Sequence, residues 1–311
     1  MSPSNFDLIT STVTWLGFSL MRLIATAALD GKPLDCEPMP MHRHMLIFGM
    51  GYTASRLADS LRESGWHVTG TRRMSGGDAI AFDDEAAVCA AIENATHILS
   101  SVPPMGEGGD PVLLKYDDRI ARSDVAWLGY LSSTGVYGDT GGAWVDESAA
   151  IGEGRRTARA DADLAWQALR KDVAVFRLPG IYGPGRSALE RVEDGKAHRI
   201  DMPAQIFSRV HVDDIVSAVI AAFDGPAGVY NIADDVPASQ NDVIEYACDL
   251  LGQEWPPLMT LDGAGLSPMA RGFYAENRRV SNIRAKRLLG WTPKYADYRQ
   301  GLSALLAARQ Q

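Results

Sequence analysis

One short segment carries the residues best suited to hold a phosphate group. Gly49 and Gly51 directly follow the apolar run MLIF (residues 45–48), and Ala54 completes a G-x-G-x-x-A turn before a helical pattern begins. Glycines at this spacing let the backbone approach a pyrophosphate at the N-terminus of a helix. A plain strand-to-helix turn is the alternative, but the lengths of the flanking segments favour a dinucleotide site.

Two arginines, Arg72 and Arg73, follow the next predicted strand, HVTGT. NAD-binding proteins of this type place an acidic residue here, which holds the ribose 2′-hydroxyl. A guanidinium can instead pair with a 2′-phosphate in bidentate fashion. The sequence therefore predicts NADP rather than NAD, with two solvated loop arginines as the alternative.

The elements that must position these residues alternate between strands and helices. Four further apolar runs predict strands three to six: DAIAFDD, THILSSVPP, VAWLGYLSSTGVYGD and VAVFRLPGIYGPGR. This order predicts an α/β fold, a Rossmann-type doubly wound parallel sheet with its ligand at the carboxyl ends of the strands. The turn that follows the fourth strand should pass the ribose and phosphates, and Asp83 or Asp84 should lie near the adenine.

The domain prediction follows from this alternation. Residues 44–185 form the cofactor-binding core, and a segment at about 205–235 completes its sheet. Residues 186–204 and 236–311 form a smaller C-terminal substrate lobe.

Composition excludes several classes of protein. The 311 residues carry a formal net charge of −9, which argues against nucleic acid as a partner. Cys36, Cys89 and Cys248 are isolated, so we expect reduced thiols, no metal site and a cytoplasmic location.

The first 43 residues differ from the rest in being mostly apolar. Arg22 interrupts the apolar stretch, which is then too short to span a bilayer, and no basic segment precedes it as in a secretory signal. We expect a leader that is disordered or lies upstream of a true start near Met41 or Met45, and no membrane association. A membrane or export role is the alternative.

Four motifs occur in order: SSTGVYGD, FRLPGIYGPGR, RVHVDDIVSAV and GVYNIADD. Together they resemble the extended short-chain dehydrogenase/reductase superfamily, the NAD(P)-dependent epimerase/dehydratase group. The G-x-G-x-x-A pattern replaces the usual G-x-x-G-x-x-G and resembles the atypical, YeeZ-like branch. The likeness covers about residues 45–308.

The resemblance implies a set of site residues. Ser133 matches the residue that hydrogen-bonds the substrate carbonyl or hydroxyl, although a turn hydroxyl that satisfies local backbone is the alternative. The catalytic candidates are Ser133, Thr134 and Tyr137. The cofactor-binding candidates are Gly49, Gly51, Tyr52, Thr53, Ala54, Arg72, Arg73, Asp83, Ser101, Val102, Pro103, Pro179, Gly180 and Ile181. The substrate-binding candidates are Tyr182, Arg186, Arg209 and His211.

One departure from the family pattern concerns proton transfer. Family enzymes carry a YxxxK pair, but the corresponding stretch here places Ala158 and Ala162 in its two slots. With Ala165 and Leu169, these alanines predict the apolar face of a helix. Tyr137, Tyr182 and His211 remain as candidate proton donors, with a structural role for His211 as the alternative.

Charged residues near this helix limit the substrate class. Arg155, Arg156 and Arg159 suit an anion better than acid–base chemistry, or simply form a solvated helix start. Nucleotide-sugar enzymes of the family carry an arginine where this chain has Phe207, which argues against such a substrate.

We therefore expect an NADP-dependent oxidoreductase or epimerase-like enzyme that acts on a small anionic carbonyl or hydroxyl substrate. A non-catalytic NADP-binding or redox-sensing protein is the alternative. The expected partner is a small molecule, and a second copy of the chain is the candidate protein partner.

Overall fold

The computed structural model describes residues 43–77, 79–106, 109–152 and 157–310. A seven-stranded, fully parallel sheet lies at the centre of this part of the chain. Its spatial order is β7-β6-β5-β4-β1-β2-β3. In chain order its strands are β1 (His44–Phe48), β2 (His67–Arg72), β3 (Ala79–Ala81), β4 (His97–Ser100), β5 (Trp127–Ser133), β6 (Val173–Leu178) and β7 (Gly228–Asn231). The predicted Rossmann-type fold is confirmed, and its strand order reverses between β1 and β4. The predicted leader apart from Arg43, and Arg155 and Arg156, lie outside the described residues.

Helices cover both faces of the sheet, as a doubly wound topology requires. On one face lie α1 (Tyr52–Glu63) and α6 (Val212–Ala221). On the other lie α2 (Glu85–Asn94), α3 (Pro111–Ala121) and α4 (Thr157–Leu169). Each helix buries one apolar stripe against the strands, such as Leu57 and Leu61 of α1. Burial of one such side chain contributes about 1.5–3 kcal/mol.

A smaller lobe packs around its own apolar cluster. Its main helices are α5 (Ala188–Glu193), α7 (Gln240–Leu251) and α10 (Tyr298–Ala308). The short helices α8 (Pro268–Phe273) and α9 (Ile283–Leu289) complete the described helices. A capping box between Ser187 and Glu190 begins α5 directly after Arg186.

Short parallel strand pairs connect the outer segments. Gly180–Tyr182 pairs with Arg209–His211, Trp144–Val145 with Arg279–Val280, and Arg199–Ile200 with Leu258–Met259. A 3₁₀ helix, Thr134–Tyr137, follows β5. No helix among the described residues is long and apolar enough to cross a membrane.

The buried face of α4 differs from the predicted one. Ala165 is exposed, whereas Ala160, Ala162, Asp163 and Trp166 are buried. The rotation of α4 about its axis is set by Trp166, whose indole stacks on Tyr130 of β5 and whose Nε1 donates to Asp110. The alanine-rich pattern alone could not predict this rotation.

A histidine at the start of β4 lies in an aromatic environment. The imidazole of His97 contacts the rings of Trp66 and Phe223, at centroid distances of 4.7 and 4.9 Å. Burial, reinforced by the charge of Arg43, lowers the pKa of His97 from 6.5 to about 4. The folded protein therefore keeps His97 neutral at pH values where the unfolded chain already binds a proton.

We expect the free energy of unfolding to fall as the pH drops from 6.5 towards 4, and His97→Phe to make this fall shallower. The unsubstituted protein takes up at most one proton at position 97 on unfolding, and the variant takes up none there. This difference changes the slope of the unfolding free energy by at most about 1.4 kcal/mol per pH unit. Urea denaturation at several pH values measures the slope. An unchanged slope in His97→Phe would show that this histidine is not held neutral by the fold.

Candidate functional site

A cavity of about 940 Å³ lies at the carboxyl ends of the sheet strands. Its sheet side is lined by residues 51–53, by Ser101, by residues 131–135 and by residues 178–182. Its other side is lined by α5, α7 and α10 of the lobe. Open α/β sheets bind their ligands at this edge, beside the reversal of strand order.

In the glycine turn between β1 and α1, Gly49 and Gly51 have different structural roles. Gly49 has a φ of +85°, and a Cβ there would lie 2.8 Å from Cγ2 of Val102. Gly51 caps α1 without any side-chain hydrogen bond, and a Cβ there would meet nothing within 4 Å. The cap residue therefore offers no side-chain acceptor to the first N–H groups of α1, and the space beside it is open, which fits a dinucleotide pyrophosphate.

Two neighbouring strands hold this turn in place. The Oγ of Ser101, after β4, donates to the carbonyl of Gly49 at 2.9 Å. The N–H of Gly49 donates to Oγ1 of Thr71 on β2 at 3.1 Å. Ser101, Tyr52 and Thr53 line the cavity, whereas Ala54 is buried in the core and Val102 packs behind the turn.

The remaining cofactor candidates are distributed around this turn. Arg72 ends β2, and both it and Arg73 are exposed and form no ion pair with any other residue that the structure describes. Asp83 is exposed and accepts a hydrogen bond from Lys115 at 2.9 Å, away from the cavity. Pro103 is exposed and does not line the cavity, whereas Pro179, Gly180 and Ile181 line it opposite the glycine turn.

Ser133 has the geometry of a hydrogen-bond donor. It is the last residue of β5, and its Oγ accepts the N–H of Gly135 at 3.1 Å. The hydroxyl proton is therefore free to donate into the cavity, which Ser133 lines. Thr134 also lines it, and its Oγ1 lies 3.5 Å from the carbonyl of Leu178.

Tyr137, by contrast, lies behind the cavity rather than in its wall. Its hydroxyl donates to Oδ1 of Asn231 at 2.8 Å and accepts from Nη1 of Arg177 at 3.0 Å. The residue is 4% exposed, and burial raises the pKa of its phenol although Arg177 opposes this. In this geometry the phenolic proton is donated to Asn231, which favours a structural role for Tyr137 over that of a proton donor.

A buried ion pair that the sequence analysis did not identify supports the same turn. Asp163 of α4 accepts from Nε and Nη2 of Arg177, at 3.0 and 2.8 Å. It also accepts from Oγ of Ser132 at 2.5 Å. Burial alone would lower the pKa of Arg177, but its hydrogen bonds to Asp163 raise it. The available signal was an arginine inside the apolar strand VAVFRL, which requires a buried acidic partner.

Helix α4 carries neither a tyrosine nor a lysine at the two slots of the family pair. Ala162 is 3% exposed and packs in the core, and neither Ala158 nor Ala162 lines the cavity. The residue of α4 that does line it is Arg159. This helix therefore supplies the cavity with a fixed positive charge.

Two of the substrate candidates are engaged within the fold. Arg209 lines the cavity but donates to the carbonyls of Phe207 and Ala238, at 3.0 and 2.9 Å. His211 does not line it; its Nδ1 accepts the N–H of Asp213 and thereby caps α6. Burial lowers the pKa of His211 to about 4. The structural alternative for His211 therefore fits the geometry.

The other two candidates differ in exposure. Tyr182 lines the cavity, but its hydroxyl is buried against Gly301 of α10 and has no hydrogen-bond partner among the described residues. Burial raises the pKa of this phenol. Arg186 is exposed at the cavity. Among the described residues, no group of histidines, cysteines and acids could hold a metal ion.

Sequence comparisons identify two curated relatives. A 3-diazoavenalumate denitrifying reductase from a Streptomyces species is 34% identical over 47% of this chain and 52% of its own length. The chain thus spans about half the length of that relative. Protein YeeZ of Escherichia coli K12 is 28% identical over 82% of this chain and 97% of its own length. No known family profile matches the chain.

Structure comparisons identify the same fold. A functionally unknown conserved protein from Silicibacter pomeroyi is 41% identical, with a TM-score of 0.75 over 86% of this chain and 100% of its own. The human epimerase family protein SDR39U1, solved with NADPH, is 15% identical, with a TM-score of 0.69 over 85% and 99%. The UDP-glucuronic acid 4-epimerase of Bacillus cereus, solved with UDP-glucuronic acid and NAD, is 16% identical, with a TM-score of 0.69 over 86% and 99%.

We expect Asp163→Asn to lower the free energy of unfolding by about 3–5 kcal/mol, because it leaves the Arg177 charge buried without a counterion. Chemical denaturation measures the loss. Asp118→Asn is the matched control, because Asp118 pairs with Arg122 on the exposed surface of α3. Equal effects of the two substitutions would contradict the structural role of the buried pair.

Proposed function

We propose that this chain, a member of the extended short-chain dehydrogenase/reductase superfamily on its YeeZ-like branch, is an NADP-dependent oxidoreductase or epimerase-like enzyme. Its substrate is a small anionic molecule with a carbonyl or hydroxyl group. The observation that carries the proposal is Ser133, whose free hydroxyl proton lies in the wall of the same cavity as the glycine turn.

Both the structural neighbours and the residues of this chain support a nicotinamide cofactor. Structural neighbours were solved with NADPH or NAD. The uncapped start of α1 beside Gly51 would hold the pyrophosphate. Arg72 and Arg73 support NADP, because two exposed guanidinium groups at the end of β2 suit a 2′-phosphate.

When bound, the cofactor supplies or accepts a hydride at its nicotinamide ring. Ser133 donates a hydrogen bond to the substrate oxygen, where negative charge develops. The bond that its Oγ accepts from Gly135 holds the serine oxygen in place and leaves the hydroxyl proton for the substrate. Because the fold already holds this side chain, little reorganisation is needed during the reaction.

Proton transfer must differ from that of the family pair. Of the candidate donors predicted from the sequence, only Tyr182 lines the cavity. Burial raises the pKa of this phenol, which makes it a weaker acid than a free tyrosine. We propose Tyr182 as the proton donor on its position, because its ring borders the cavity and its hydroxyl has no hydrogen-bond partner among the described residues.

The charges of the cavity support an anionic substrate that is not a nucleotide sugar. Arg159 lines the cavity and brings a cationic side chain to it. Arg209, which stands close to the position of the nucleotide-sugar arginine, is occupied by four backbone and side-chain acceptors. It has little hydrogen-bonding capacity left for a diphosphate.

A second candidate function is cofactor binding without turnover. It is favoured by the composition of α4, where Ala158 and Ala162 stand in place of a tyrosine and a lysine. The engagement of Tyr137 with Asn231 points the same way. Such a protein would bind NADP and sense its redox state.

We expect NADP to bind at least tenfold more tightly than NAD, which corresponds to about 1.4 kcal/mol. Arg72→Asp should erase or invert this preference, because a carboxylate repels the 2′-phosphate. Isothermal titration calorimetry with both cofactors measures it. Equal affinities in the unsubstituted protein would exclude the NADP assignment.

We expect Ser133→Ala to reduce turnover about 10²–10³-fold and to leave NADPH affinity unchanged, because one oxyanion donor is lost. NADPH oxidation against a panel of aldehydes, ketones and keto acids provides the assay. Ser148→Ala, on the exposed surface, is the matched control. Unchanged turnover would remove Ser133 from the mechanism. Absence of turnover from the unsubstituted protein, despite NADPH binding, would favour the second function.

A further inference from the structure

The glycine turn and the opposite wall of the cavity are joined by one side chain. Tyr52, the first residue of α1, donates its phenolic proton to the carbonyl of Pro184 at 3.1 Å. A Cβ on Gly183 would lie 2.6 Å from the Tyr52 oxygen and 2.7 Å from Cγ1 of Val212. Only glycine therefore lets the loop approach the phenol this closely.

The same loop fixes an arginine against the tyrosine ring. Gly183 and Arg186 exchange two backbone hydrogen bonds of 3.1 and 3.0 Å, which close a tight turn. The guanidinium carbon of Arg186 lies 5.6 Å from the centroid of the Tyr52 ring. This distance is within the range of a cation–π contact. Both side chains line the cavity.

Arg186 adds a positive charge to a place that already attracts anions. It stands beside the first residue of α1, where the helix dipole already presents positive charge. Within the part of the chain that the structure describes, its guanidinium forms no ion pair. The neighbouring Arg56 differs, because its Nε donates to Asp213 at 2.7 Å. A doubly negative group between α1 and Arg186 would balance both sources of positive charge.

We propose that Arg186 binds the pyrophosphate of the nicotinamide cofactor from the side opposite the glycine turn. The Tyr52–Pro184 hydrogen bond holds the loop of residues 183–186 against α1, and we call this loop together with Tyr52 the clasp. The inference rests on the proposed cofactor binding and moves Arg186 from the predicted substrate residues to the cofactor residues. Because the pyrophosphate is common to NAD and NADP, Arg186 contributes equally to both. The clasp must open before the cofactor leaves.

The test compares ligands with and without a pyrophosphate. A hydrogen bond to a charged group contributes about 1.5–3 kcal/mol, so we expect Arg186→Gln to weaken NADP and NAD binding by the same factor, tenfold or more. Binding of 2′-AMP, which has no pyrophosphate, should stay within twofold. Calorimetry measures all three affinities, and circular dichroism melting verifies the fold of each variant.

Two further variants separate the clasp from a general effect of charge. Tyr52→Phe keeps the ring but loses the bond to Pro184, and should speed NADPH dissociation severalfold in stopped-flow fluorescence. Arg56→Gln removes a nearby positive charge that Asp213 already neutralises, and should leave NADP affinity unchanged.

Three results would overturn the inference. They are unchanged NADP and NAD affinities in Arg186→Gln, an equal loss of 2′-AMP binding in that variant, and an equal loss of NADP binding in Arg56→Gln. Failure of the unsubstituted protein to bind either dinucleotide would instead overturn the proposed function.

Discussion

The buried pair of Asp163 and Arg177 is the interaction on which the candidate site depends. It joins α4 to β6, and through Ser132 and Tyr137 it holds both ends of the SSTGVYG turn. Ser133 lies between these two anchors, so its hydroxyl is positioned by a buried ion pair that does not itself line the cavity. Such a pair is costly to desolvate, so it adds no stability beyond that of a well-packed apolar alternative. Its value lies in fixing one geometry for the turn.

The fold and the cofactor side of the site were predictable from sequence because they rest on local patterns. The G-x-G-x-x-A turn, its flanking strand and helix, and the alternation of later strands each depend on residues close together in the chain. Arg177 and Asp163 were not recognised as partners, because their pairing depends on how α4 is rotated. That rotation is decided by the stacking of Trp166 on Tyr130, a contact between distant residues. The sequence could not show whether Tyr137 and His211 face the cavity or the core, because this depends on tertiary packing. Both are buried and make structural hydrogen bonds, as the structural alternative for His211 anticipated.

Helix α4 illustrates how a fold can keep an element while its side chains change role. In the superfamily this helix presents a proton-transfer pair, and here its buried face presents Asp163 to the turn of Ser133. One turn earlier, Arg159 reaches the cavity. The helix therefore contributes positioning and charge in place of a tyrosine–lysine pair.

The lobe is assembled from segments that are far apart in the chain. Its last helix, α10, meets α5 through Arg309 and Glu193, which are 116 residues apart, and β7 of the main sheet lies between these segments in sequence. Closing so long a loop costs conformational entropy before any contact compensates for it. During synthesis, α5 must therefore wait for α10 to leave the ribosome before this contact forms. Until then the lobe side of the cavity is incomplete, and the apolar surfaces of α5 and α7 that pack against α10 stay exposed.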